Sequence, residues 1–249
     1  WQEKGVPVVT TCDGPCGIRL GKEFTATCLP TGSFLAATWL PDLMDDVFDE
    51  FADEAKAYDL DIILGCGMNI HRTPMCGRNF EYFSEDPYMT GKMAAAMLKG
   101  MAKYGVTGTI KHYAANNQEF SRHAVDAVVS QRALREIYLK GFEIAVKEGK
   151  AYSVMTSYNP VNGIWTAGNY DLNTTILRGE WGFDGFVMTD WWAKINDDLG
   201  DTPNISNLSV MIRAQNDVYM VVSDSATNPH KDDAQAALAE GRITRGELA

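Results

Sequence analysis

Asp190 follows the apolar run Gly185 to Thr189 and precedes Trp191, where a carboxylate would be held at the end of a buried strand. Asp13 stands in the same relation to Val6 to Cys12, and Lys111 and His112 close the run Thr107 to His112. Tyr158 and Asn159 follow Ser153 to Thr156, while Asn69, His71 and Arg72 follow Asp61 to Leu64. If these strands run parallel, their carboxyl-terminal ends share one rim and the groups converge there. Carboxylates, several donors that read hydroxyls and flat aromatic surface suit a neutral polyol, whose C–H faces stack while its hydroxyls hydrogen-bond. That chemistry points to a sugar. Each residue also has a structural reading, since Asp ends strands and, as Asp13 does before Gly14-Pro15, opens turns.

The elements that would carry these groups alternate between short β-branched runs and longer helical patterns. Thr25 to Leu29, Leu35 to Thr38 and Asp217 to Val222 complete a set of eight strand candidates. Leu43, Met44, Val47, Phe48, Phe51, Ala55 and Tyr58 recur at three- and four-residue steps, so that segment buries one stripe as a helix. Asp86-Pro87 opens a second helix running to about Tyr104, with Pro in the first turn and Gly105 as its stop. Ser130 can cap a third helix that runs through Ala145. Strands followed by helices imply parallel pairing with right-handed crossovers, and eight of them in 249 residues fit an α/β fold of the (β/α)8 TIM-barrel type. The runs before and after Pro30 are too close for a helical crossover, so irregularity is expected around the second and third strands. An open doubly wound sheet is the alternative. No repeat, low-complexity run or internal linker divides residues 1–249, which read as one barrel domain.

Composition narrows the partners. With 22 Lys plus Arg against 33 Asp plus Glu, the net charge of −11 repels nucleic acid and anionic membrane surfaces. No stretch approaches a transmembrane length, and the segment beginning Trp1-Gln2-Glu3 lacks the pattern of a signal peptide. Cys12, Cys16, Cys28, Cys66 and Cys76 form no CxxC pair and read as free thiols. Free thiols favour the cytoplasm, with a secreted or periplasmic location open if sequence lies upstream. His71, His112 and His123 offer no i, i+4 pair, so neither a metal nor any other cofactor is expected.

Five segments, taken in order, carry a family resemblance. They are Asp13-Gly14-Pro15 with Gly17-Ile18-Arg19, Asn69 to Pro74, Gly77 to Pro87, Lys111 to Glu119, and Val187 to Trp191. Together they resemble the barrel domain of glycoside hydrolase family 3, over nearly the whole chain, and within it the β-glucosidase group. The β-N-acetylglucosaminidase branch carries a Lys-His-Phe-Pro-Gly-His-Gly-type stretch where Tyr113 to Asn117 stand here, which disfavours an acetamido sugar. The resemblance implies a retaining hydrolase of terminal β-D-glycosides, with Asp190 as the nucleophile that forms a covalent glycosyl intermediate. It assigns Asp13, Arg78, Lys111 and His112 to the sugar hydroxyls. Tyr158 would orient the nucleophile, Trp191 would stack beside it, and Trp192 would narrow the pocket. Glu81 and Glu119 receive supporting roles, and Trp181 reads as core. His71 and Arg72 are divided between substrate and loop structure.

A retaining mechanism also needs a neutral carboxyl roughly 5 to 5.5 Å from the nucleophile. No residue of this sequence matches that role, which in the family belongs to a Glu on a following α/β sandwich domain. The chain therefore reads as a barrel fragment, one polypeptide of a split enzyme, or a permuted order, with a β-glucoside or short oligosaccharide as substrate. An exposed apolar face awaiting a partner is expected. The polar run Gly200 to Ser206, with Asp197, Asp198 and Asp201, reads as a mobile departure after the nucleophile. A sugar-binding barrel without turnover and a glycoside phosphorylase are the competing functions.

Overall fold

The computed structural model describes residues 3, 5, 7–196, 202–224 and 226–248, so Asp197, Asp198 and Asp201 lie outside the described residues. In chain order come β1 (Thr11–Asp13), α1 (Gly32–Ala36), α2 (Pro41–Ala57), β2 (Ile62–Leu64), α3 (Pro87–Ala102), β3 (Thr107–Tyr113), α4 (Lys140–Lys147) and β4 (Ser153–Thr156). A small antiparallel hairpin, β5 (Pro160–Val161) with β6 (Ile164–Trp165), precedes β7 (Phe186–Met188). The main sheet is parallel, in the order β1-β2-β3-β4-β7.

Alternation along these strands separates two apolar layers. Ile63, Ile110, Val154 and Val187 join the large core beneath the helices, whereas Ile62, Leu64, Met155 and Met188 cluster apart from it. Strands apolar on both faces belong to a parallel sheet covered on both sides, the α/β arrangement of a TIM-like fold. Among the described residues the ladder runs past β7 only as far as a single bridge, Met188 to Val218.

The helices obey their local rules. α2 buries Met44, Phe48, Phe51, Ala52 and Ala55 on one stripe. Asp86 caps α3 by accepting from Met89 N at 2.7 Å, and Gly105 follows it at φ +70°. α2 and α3 approach closely at Gly100, where a Cβ would stand 2.5 Å from Asp45 O. Ser130 caps Ala133 N as expected, but the helix it opens is interrupted by a π-helical turn at Leu134–Tyr138 before α4. There Leu139 N reaches back to Leu134 O, inserting one residue into the helical repeat.

Three strand expectations are corrected. Thr25 to Leu29 is irregular and mostly exposed, its hydrogen bonds going to the Glu54 carboxylate from Thr27 and to Cys16 O from Leu29 rather than into a ladder. Leu35 to Thr38 begins inside α1, capped by Thr31, because Ala36 and Ala37 favour a helix once a cap is available. Asp217 to Val222 lies along β7 without forming a strand; Val218 bonds Val187 O and Thr189, and Met220 N bonds the Thr189 hydroxyl. Of Val6 to Cys12, Thr11 and Cys12 enter β1 and Thr10 O accepts from Asp61 N and Ile62 N at the start of β2, while Pro7 to Val9 are exposed and Val6 lies outside the described residues.

Candidate active site

The strand ends deliver the chemistry. Cys12 and Ile110 point into the core under the helices, so alternation turns Asp13 and Lys111 to the opposite face, where Lys111 Nζ donates to Asp13 Oδ1 at 2.8 Å. His112 would by strict alternation point away. The register between β3 and β4 shifts between Ile110 and Tyr113, and His112 reaches the same space as Lys111. Asn69 holds it there by both backbone groups, its amide accepting from His112 N and donating to His112 O, each at 2.9 Å. Tyr158 stands just past β4, and Asp190 and Trp191 just past β7.

These residues line one cavity of about 340 Å3, the size of a small-molecule site. Asp13, Arg78, Lys111, His112, Tyr158, Asp190 and Trp191 all face it, as do Arg19, Arg122 and Trp192. Asp190 Oδ1 accepts from Trp191 N at 2.8 Å. Its Oδ2 lies 3.7 Å from His112 Nε2 and has no fully formed hydrogen bond, although the Tyr158 hydroxyl is near enough to favour its charged form. One oxygen is thus fixed and the other uncommitted.

Burial raises the Asp190 pKa, with Trp191 N, the Tyr158 hydroxyl, Arg78 and Lys111 opposing it. Asp13 shows the opposite balance: burial raises its pKa, but Lys111, Arg19 and Arg78 outweigh burial and hold it below the usual carboxylate range. Burial, reinforced by Arg78, Lys111 and Arg122, keeps His112 neutral by pushing its pKa well down. Burial and the charge of Asp190 push the Tyr158 phenol up, so it stays a donor. The four cations on the cavity wall are all matched by carboxylates: Lys111 and Arg19 by Asp13, Arg78 by Glu81 at 2.5 Å, Arg122 by Glu119 at 2.8 Å.

Two expected neighbours lie elsewhere. His71 does not line this cavity and keeps a buried Nε2 without a partner, while Arg72 faces a second cavity beyond Asn116. Glu81 and Glu119 stand behind the wall, paired with Arg78 and Arg122. Trp181 packs edge-on against Tyr113, 6.0 Å between rings. Sequence reasoning missed Arg122, whose guanidinium sits 4.7 Å over the Tyr158 ring, because it lies in an irregular loop with no periodicity to aim it. Arg19 lies in the Gly17-Ile18-Arg19 segment, where residue type alone gave it no role. Among the described residues no group of His, Cys, Asp and Glu is arranged to hold a metal ion. The five cysteines are unpaired. Burial pushes the Cys66 thiol up to about 12, which makes it a small apolar filler rather than a nucleophile.

A TIM-like α/β domain with such a rim is of the kind that glycoside hydrolases are built on. This chain belongs to glycosyl hydrolase family 3: the model of that family's N terminal domain matches residues 2–249. It is 58% identical over 247 residues to a beta-glucosidase of Ruminococcus albus, covering 99% of this chain and 26% of that protein. It is 40% identical to an exo-alpha-(1->6)-L-arabinopyranosidase of Bifidobacterium breve, covering 99% of this chain and 32% of that one. Among solved structures, a beta-glucosidase from Paenibacillus barengoltzii superposes with a TM-score of 0.97 at 56% identity, covering 99% of this chain and 27% of that chain. Beta-glucosidase 3B from Thermotoga neapolitana in complex with glucose gives 0.88 at 42% identity, covering 100% and 35%. The chain therefore spans about a quarter to a third of these relatives.

Proposed function

We propose that this chain is the sugar-binding and nucleophile-bearing part of a retaining β-glucosidase. The observation that carries the reading is Asp190, strand-end and buried, with one oxygen tied to Trp191 N and the other uncommitted beside His112, inside a cavity walled by Asp13, Arg78, Lys111 and Tyr158. In the first step Asp190 Oδ2 attacks the anomeric carbon as the glycosidic C–O bond breaks, and the departing oxygen takes a proton from a general acid. In the second, water attacks the same carbon, its proton goes to the base so formed, and Asp190 leaves as carboxylate. Asp13, Lys111, His112 and Arg78 hold the ring, and Trp191 offers it an apolar face.

The general acid is supplied from outside this chain. Asp13 is the one other carboxylate among the described cavity-lining residues, and its cationic partners hold it ionised, which disqualifies it as a proton donor. The greater length of the relatives supports a Glu on a further domain or chain. The names of the relatives include an arabinopyranosidase, so the pyranoside identity is narrowed by kinetics rather than by resemblance.

An aryl β-glucoside with a good leaving group tests the reading, since its departure needs little acid assistance. A stoichiometric burst of phenol that disappears in Asp190→Ala is expected. No burst, with glucose still bound, supports a binding module instead.

A further inference from the structure

Behind the cavity wall the polar groups form a directed chain. Arg122 Nη1 donates to Glu119 Oε2 at 2.8 Å, so Glu119 acts only as an acceptor. Asn116 Nδ2 lies 3.0 Å from Glu119 Oε1 and 3.3 Å from the Tyr82 hydroxyl. The carboxylate forces the amide's orientation, because the opposite flip would set Asn116 Oδ1 against Glu119. Tyr82 therefore accepts from Asn116, and its one proton is left for His112 Nδ1 at 3.1 Å. Tyr82, Asn116 and His112 are all buried. Burial also keeps the Tyr82 phenol protonated and the His112 ring neutral.

We propose that Asn116 and Tyr82 are positioning residues that lock His112 as the Nε2–H tautomer, so that the ring presents a donor, never an acceptor, to the cavity beside Asp190. A donor there has a defined use. Nε2–H points toward the uncommitted Asp190 Oδ2 across 3.7 Å, too far for a hydrogen bond, and an acceptor on a bound ligand can take it. With the other tautomer, a lone pair would face the carboxylate and a sugar oxygen would have to turn its own proton toward the ring. The network sets that polarity before substrate arrives.

The consequence for turnover rests on the glycosidase reading, but the protonation pattern does not. The test is 15N NMR of the full-length chain labelled at histidine, with His112 identified by its loss in His112→Gln. The ring is expected to show a protonated Nε2 and a bare Nδ1 at neutral pH. In Tyr82→Phe the two nitrogens are expected to average between tautomers, with kcat/KM on an aryl β-glucoside falling roughly 3- to 30-fold. A merely structural role for Tyr82 would leave the nitrogen pattern unchanged. A protonated Nδ1 or an averaged pair in the wild-type chain overturns the proposal, whether or not Tyr82→Phe folds. A chain that hydrolyses nothing but shows Nε2–H sinks the activity reading and leaves the relay standing.

Discussion

Asp190 and Asp13 are both strand-end carboxylates on one rim, yet their surroundings drive them apart. The folded chain holds the Asp190 proton more tightly than the unfolded chain does. Stability from that group is present below about pH 4 and is lost as pH rises through its raised folded value. At neutral pH the ionised carboxylate therefore costs stability, and Asp190→Asn is expected to raise the melting temperature while cutting kcat roughly 10^4-fold or more. Thermal melts and single-turnover rates on the same preparation check both signs. Asp13 behaves inversely: its lowered pKa contributes stability above about pH 4 that disappears as pH falls through the folded value. Asp13→Asn leaves Lys111 buried without its partner, which is expected to cost about 1–3 kcal/mol, moderated because water reaches the Asp13 carboxylate. Its melting temperature should fall at pH 7 and converge on the wild type in acid. The meeting of these residues at one cavity was legible in the motifs, whereas their opposite pKa shifts were not. Those depend on how deeply the fold buries Asp190 and on Lys111 arriving beside Asp13 from 98 residues away.

At the level of the elements, what the sequence disclosed followed from periodicity. α2 and α3 were visible in their apolar spacing, and the caps at Asp86 and Ser130 in their residue types. Thr25 to Leu29 and Leu35 to Thr38 deceived because runs of four or five residues carry no period; Glu54 and Thr31, from outside each run, decide their conformation. His112 reaches the rim beside Lys111 as its place at the strand end led one to expect, and the register shift in β3 is what accommodates it there. The glycine at 100 is a demand of the α2 and α3 contact. Gly100→Val would drive a side chain into the Asp45 carbonyl and is expected to cost about 1–3 kcal/mol, lowering the denaturation midpoint without altering its slope. Asp86→Ala removes the α3 cap and is expected to cost about 1 kcal/mol.

Over the whole molecule, the charge distribution separates function from bulk. The chain carries a net charge of −11, yet four cations and two carboxylates line the cavity, and every one of those cations is matched by a carboxylate. Under the proposed function these carboxylate-paired cations read hydroxyls rather than a phosphate. Added inorganic phosphate is expected neither to raise turnover of an aryl β-glucoside nor to appear in the sugar product, as product chromatography would reveal. Met75, Phe120 and Val128, each more than four-fifths exposed, stand on the loops that follow β2 and β3, toward the same end of the sheet as the cavity. Exposed apolar side chains on those loops are of the kind the proposed further domain would cover. The central claim is covalent chemistry at one carboxylate, and a 2-deoxy-2-fluoro β-glucoside with a good leaving group tests it most directly, because its glycosyl adduct turns over slowly enough for peptide mapping. One sugar attached at Asp190 is the expected result. A sugar attached to any other residue, or a chain that releases the leaving group with no adduct at all, would contradict it.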